Sequence, residues 1–70
     1  MDEVFTVPYF EINYPALSVM PKTCKMLYLF LHAQRGKRLS VDAISMVLGV
    51  TPKTLYKAMQ IVVNEHNKGV

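Results

Sequence analysis

The sequence predicts a small, mainly α-helical domain preceded by an extended or short β N-terminal arm. Apolar residues recur at helical spacing from about residue 21 onward, whereas Val4–Tyr14 is rich in β-branched and aromatic residues. A chain of 70 residues forms one folded unit at most, and it buries only about 60% of the surface that its unfolded form exposes. We therefore expect an arm over residues 1–20 and a three-helix domain over residues 21–70.

The arm reads VFTVPYFEINY from Val4 to Tyr14, with polar residues in rough alternation. Pro8 cannot donate a hydrogen bond to a neighbouring strand, so this segment predicts an edge strand or two short extended pieces. Pro15 and Pro21 bracket Ala16–Met20, which we expect to be a linker.

The first helix is expected from about Pro21 to Arg35, with Gly36 beyond its end. Its apolar arc spans roughly 200°, whereas a surface helix needs only about 100°. The surplus must be covered by the N-terminal arm or by a second protein chain. The arc contains Cys24, Met26, Leu27, Tyr28, Phe30 and Leu31.

Residues Leu39–Met59, LSVDAISMVLGVTPKTLYKAM, predict two helices joined by a tight turn. Ser40 is a suitable cap for a helix over Val41–Leu48, and Gly49 permits the left-handed turn that follows it. The pair Thr51-Pro52 then favours the start of another helix. We expect that last helix to fray around residues 64–67. The residues expected to face inward are Ile44, Val47, Leu48, Val50, Leu55, Ala58, Met59 and Val62.

This layout is that of a helix-turn-helix, and residues 21–66 resemble the helix-turn-helix and winged-helix regulators of bacteria and their phages. The matching segments are KTCKMLYLFLHAQRGKRLSVDAISMVLGV and TPKTLYKAMQIV, with Ser45 where the family more often has Ala. The resemblance implies that the second segment is a recognition helix, about residues 52–65. In a winged domain a β-hairpin would follow the recognition helix. Only a few residues follow that helix here, ending in Asn67-Lys68-Gly69-Val70, so we expect no full C-terminal wing. A short wing, or Val4–Tyr14 acting as the sheet element, would then take its place.

The resemblance implies a sequence-specific, DNA-binding transcriptional regulator whose recognition helix enters the major groove of double-stranded DNA. On that helix Lys53 and Lys57 suit phosphates or guanine, and Gln60 suits adenine. Thr54 suits a phosphate or a thymine methyl group, and Tyr56 suits the sugar or a phosphate. The same positions would equally form an ordinary solvated helix face. Candidate contacts to the flanking DNA backbone are Arg35, Lys37 and Arg38.

Charge and apolar content indicate the partners. Residues 22–70 contain all eight basic residues and only two acidic ones, which fits a polyanion. The wide apolar face of the first helix predicts a homodimer through that helix and the arm, with Val4–Tyr14 pairing by strand addition. An alternative is an adaptor that binds polymerase, a replication factor or a larger regulator, since a fold does not fix a function. The chain would also fit as one domain of a longer protein.

Other classes of function find no support in the residues. Two isolated histidines and one cysteine do not have the spacing of a zinc site, and no paired carboxylates or glycine-rich phosphate loop occur. We therefore expect no enzyme, metal or cofactor. No apolar run approaches the ~18 residues of a membrane span, and Met1-Asp2-Glu3 lacks the basic start of a signal peptide. Cys24 is expected to be a buried, reduced thiol, which favours the cytoplasm.

Overall fold

A computed structural model describes residues 3–68 of the chain. Over this range the protein is mainly helical, with four helices and one two-stranded antiparallel sheet. The prediction of a mainly α-helical domain is thus confirmed. Three of the four helices lie within residues 21–70, and the fourth lies in the arm, where no helix was expected. The elements in chain order are β1 (Val4–Thr6), α1 (Tyr14–Val19), α2 (Lys22–Ala33), β2 (Arg38–Ser40), α3 (Val41–Leu48) and α4 (Pro52–Lys68).

The sheet joins the arm to the segment that precedes α3. Phe5 lies opposite Leu39 in the antiparallel pair of β1 and β2. Backbone bonds extend the pairing at both ends, from Val41 N–H to the carbonyl of Glu3 (2.9 Å) and from Val7 N–H to the carbonyl of Lys37 (2.8 Å). The strand predicted in the arm is confirmed over three residues, and its partner lies within this same chain.

The segment Ala16–Met20 is not a linker, as the sequence had suggested, because most of it belongs to helix α1. Asn13 caps this helix, and its Oδ1 accepts a hydrogen bond from the Ala16 N–H at 3.2 Å. Pro15 occupies the first turn, where a missing N–H costs nothing. Two prolines flanking a short segment can therefore delimit a helix as well as a linker. The side chains of Ala16 and Met20 are buried.

The arm covers the apolar surplus of α2. The Phe10 ring stacks on Tyr28 with 5.4 Å between ring centroids, and Phe30 and Leu31 pack against the core. The N-terminal arm therefore covers part of this face, whereas Met26 of the same arc remains 45% exposed. Cys24 is buried, as predicted, and desolvation raises the pKa of its thiol. The core cluster contains Ala16, Met20, Cys24, Leu27, Tyr28, Val41, Ile44, Leu55, Ala58 and Val62.

The caps predicted around α3 and α4 are confirmed. Ser40 Oγ accepts from the Ala43 N–H at 3.0 Å, and Thr51 Oγ1 accepts from the Thr54 N–H at 3.2 Å. Gly49 ends α3 with φ 70° and ψ 32°, the left-handed conformation expected of it. The two helices are consequently joined by only three residues, 49–51.

One inward position on α3 was predicted wrongly. Val47 is 63% exposed, whereas Val41, Ile44 and Ser45 are buried. At 100° per residue these three share a face with Leu48, and Val47 lies to one side of it. The small residue expected at position 45 is confirmed as buried. Its hydroxyl oxygen is also buried and has no hydrogen-bond partner among residues 3–68.

The prediction that α4 frays around residues 64–67 is wrong, because the helix continues to Lys68. The Tyr28 hydroxyl and His66 Nδ1 are hydrogen-bonded at 2.6 Å, and Asn13 Nδ2 donates to the His66 carbonyl at 3.1 Å. An ion pair between Lys68 and Glu65 (2.8 Å) adds to the last turn. The hydrogen-bond partners Asn13 and Tyr28 belong to the arm and to α2, so the local sequence of α4 did not reveal them.

Candidate nucleic-acid interface

The outer face of α4 carries a polar stripe along most of its length. Lys53, Lys57, Gln60 and Asn64 are all exposed, and at 100° per residue they lie within an arc of about 60°. The first three were predicted from the sequence. Asn64 was missed because it fell in the segment expected to fray, although its i, i+4 spacing from Gln60 was a usable signal.

Thr54 and Tyr56 flank this stripe, and both already have partners. Thr51 donates its hydroxyl proton to Thr54 Oγ1 at 3.0 Å, within the cap of α4. The Tyr56 side chain is 41% exposed, and its hydroxyl donates to Glu3 Oε1 at 2.7 Å. The Glu3 carboxylate of the arm therefore lies at the edge of the polar stripe of α4. Sequence reasoning missed Glu3, since 53 positions separate it from Tyr56.

Two grooves run between the arm and α4. The first has a volume of about 780 Å³ and is lined by Glu3 and Phe5 on one side and by Tyr56, Gln60 and Asn64 among others on the side of α4. The second has a volume of about 430 Å³ and is mostly apolar. Its lining residues include Phe5, Val7, Phe10, Met59, Val62 and Val63.

Arg35 lies away from the start of α4. Its guanidinium contacts the imidazole of His32, and both line a groove with Phe10. The Phe10 ring is edge-on to His66, with centroids 5.5 Å apart, near the C-terminal end of α4. Lys53 is at the opposite end of the helix, about 20 Å away along its axis at 1.5 Å per residue. The structure therefore does not bring Arg35 together with Lys53.

Lys37 and Arg38 belong to the β2 side of the sheet. Arg38 is exposed and lies opposite Thr6 in the sheet, three positions before the first residue of α3. The Lys37 carbonyl accepts a hydrogen bond from the Val7 N–H, and the Lys37 side chain is exposed. These two basic residues are close to α3 in the chain, as expected, but they flank the arm rather than the polar stripe of α4.

Residues 3–68 provide neither a cluster of metal ligands nor a membrane-spanning helix. Within that range no group of three or more His, Cys, Asp or Glu side chains is arranged to hold a metal ion. None of the helices described there is long and apolar enough to cross a membrane. Both histidines have contacts within the chain: His66 is hydrogen-bonded to Tyr28, and the ring of His32 is edge-on to Phe10.

No protein-family model matches this chain, and comparison with curated proteins and with solved structures found no match either. Any functional inference for this chain therefore depends on its own residues and their geometry.

Proposed function

We propose that the protein is a sequence-specific DNA-binding regulator in which α3, residues 49–51 and α4 act as a helix-turn-helix. The observation that carries this proposal is the exposed stripe of Lys53, Lys57, Gln60 and Asn64 on α4. It lies on a helix that is fixed by its buried side, directly after a capped three-residue connection. The recognition helix would enter the major groove, whose width admits one α-helix.

Each residue type on the stripe has a partner in duplex DNA. Lys53 and Lys57 would contact phosphates or the O6 and N7 acceptors of guanine. The amide groups of Gln60 and Asn64 can each donate and accept, which matches adenine N6 and N7. Such a protein would act in the cytoplasm of a bacterium or of a phage-infected cell, which agrees with its free cysteine.

The test is binding of the purified protein to a library of random duplexes, followed by titration of an enriched and a scrambled duplex over a range of salt concentrations. We expect the enriched duplex to bind at least tenfold more tightly than the scrambled one. Lys53→Ala with Lys57→Ala should lower the slope of log K against log salt by up to about two contacts, each near 0.9.

The matched control is Lys22→Ala with Lys25→Ala, which removes the same charge from α2 and should leave the slope nearly unchanged. Gln60→Ala should relax selection at one base pair without a comparable change in slope. Equal affinity for all duplexes would contradict a specific regulator, and equal slopes for the two double variants would contradict binding through α4.

A second candidate function is an adaptor that binds a protein such as polymerase, a replication factor or a larger regulator. It is favoured by the apolar groove beside α4, which includes Met59, Val62 and Val63. The adaptor proposal predicts a partner that stays bound in high salt and is lost on Val63→Asp, with no retention of DNA. The regulator proposal predicts that Val63→Asp leaves the salt slope of DNA binding unchanged.

A further inference from the structure

Strand β1 has one edge with unpaired backbone groups. Glu3 and Val7 direct their backbone groups toward the β2 side, where they bond to Val41 and Lys37. Because hydrogen-bonding direction alternates along an antiparallel strand, Val4 and Thr6 direct their N–H and C=O groups to the opposite edge. No backbone bond on that edge is found within residues 3–68.

The residues along this edge favour addition of another strand. Val4–Phe10 contains no charged residue, and the side chains of Val4 and Thr6 are exposed. Two-stranded sheets are marginally stable alone, and open edges readily pair with other strands. The two grooves between β1 and α4 share Phe5, Met59 and Val63, and they leave space beside the strand.

We propose that the free edge of β1 pairs antiparallel with β1 of a second copy of this chain, forming a four-stranded sheet in the order β2–β1–β1–β2 about a twofold axis. The axis passes between the two Phe5 residues. Val4 of each copy then lies opposite Thr6 of the other, and the two residues exchange both backbone hydrogen bonds.

Charge complementarity supports a second copy as the occupant. In this register Glu3 of one copy lies opposite Val7 of the other, and Lys37 of that other copy is one strand further on. Facing residues project from the same side of a sheet, and two strand spacings amount to about 10 Å. The Val7 side chain between them is buried within its own chain. Glu3 and Lys37 are both exposed, so their opposite charges attract each other without direct contact, once at each end of the paired strands.

This proposal names a second copy of the chain as the partner of the regulator proposed above. It rests on that proposed function only in one respect, the binding of DNA by two α4 helices. Self-association itself requires no DNA, so it is tested separately. The pairing is isologous, which is the commonest arrangement of homodimers. A twofold protein would select a palindromic site with two half-sites.

The decisive variant is Thr6→Pro, because the Thr6 N–H is directed to the free edge and is not used in pairing with β2. Proline therefore blocks strand addition without removing a bond inside the chain. Thr6→Ala is the matched control, since it shortens the side chain and keeps the N–H. Light scattering behind size exclusion should report a dimer for the natural sequence and for Thr6→Ala, and a monomer for Thr6→Pro.

Two double variants of opposite charge keep the proposal testable if Thr6→Pro fails to give a native circular dichroism spectrum. Val4→Lys with Thr6→Lys places like charges at facing positions and should yield a monomer, as should Val4→Glu with Thr6→Glu. Mixing these two double variants should restore a heterodimer. A natural chain that is monomeric at every concentration would overturn the proposal, as would a dimer that persists in all three edge variants.

Discussion

The tight connection between α3 and α4 depends on the backbone conformation of Gly49, and Gly49→Ala tests that dependence. Gly49 has φ 70° and ψ 32°, and a Cβ added to it would meet no atom within 4 Å. The substitution therefore introduces no steric contact, and its cost is that of left-handed backbone alone, about 1–2 kcal/mol for an L-residue.

An opposing effect comes from the unfolded chain, which loses conformational entropy when glycine becomes alanine. That effect favours the variant by about 0.4–1 kcal/mol. The net loss in the free energy of unfolding should thus be about 1 kcal/mol, or a decrease in Tm of about 4–8 °C for a domain of this size. Gly49→Asn should cost less than Gly49→Ala, because asparagine visits the left-handed region more readily.

The assay is urea unfolding followed by far-ultraviolet circular dichroism, with the m-value as a control for an unchanged denatured state. The order of stability should be Gly, then Asn, then Ala at position 49. An alanine variant as stable as the natural chain would refute the reasoning. A loss of several kcal/mol would also refute it, since it would require a steric contact that the structure does not contain.

Three further predictions concern other residues. Ser45→Ala should raise the free energy of unfolding by about 1 kcal/mol in the same urea assay, because a buried unpaired hydroxyl is costly and alanine favours a helix; a loss of stability would contradict this. The raised pKa of the Cys24 thiol means less thiolate at a given pH, so alkylation by iodoacetamide should be much slower in the folded chain than in urea and should increase at higher pH. Equal rates in both states would show that the thiol is accessible. Glu3→Gln should raise affinity for DNA several-fold by removing a carboxylate beside Tyr56, provided the titration uses protein concentrations at which light scattering gives the same mass for the variant and the natural chain. Glu65→Gln, an equal charge change, should have little effect in the same titration.

The elements that could be predicted from sequence are those that depend on neighbouring residues. Ser40, Gly49 and Thr51 each act within a few residues of their own position, and the structure shows all three in the predicted roles. The bounds Val41–Leu48 follow from them. On the outer face of α4, helical periodicity was sufficient to select Lys53, Lys57 and Gln60 as exposed.

Predictions were wrong where distant contacts decide the local structure. The continuation of α4 through His66 depends on Asn13 and Tyr28, which are far away in the chain. Helix α1 replaces the expected linker because Ala16 and Met20 can be buried among the other helices. In both cases burial and long-range hydrogen bonds stabilise conformations for which the local sequence carries only a weak preference.

The sequence by itself therefore determined the caps, the turn and three of the four residues in the exposed stripe of α4, because capping and helical periodicity are short-range effects. Only the tertiary structure decided what the arm does. In the arm, β1 pairs with β2, Phe10 stacks on Tyr28, and Glu3 accepts a hydrogen bond from Tyr56. These are contacts between residues distant in the chain, and their free energy comes from packing that no local pattern specifies.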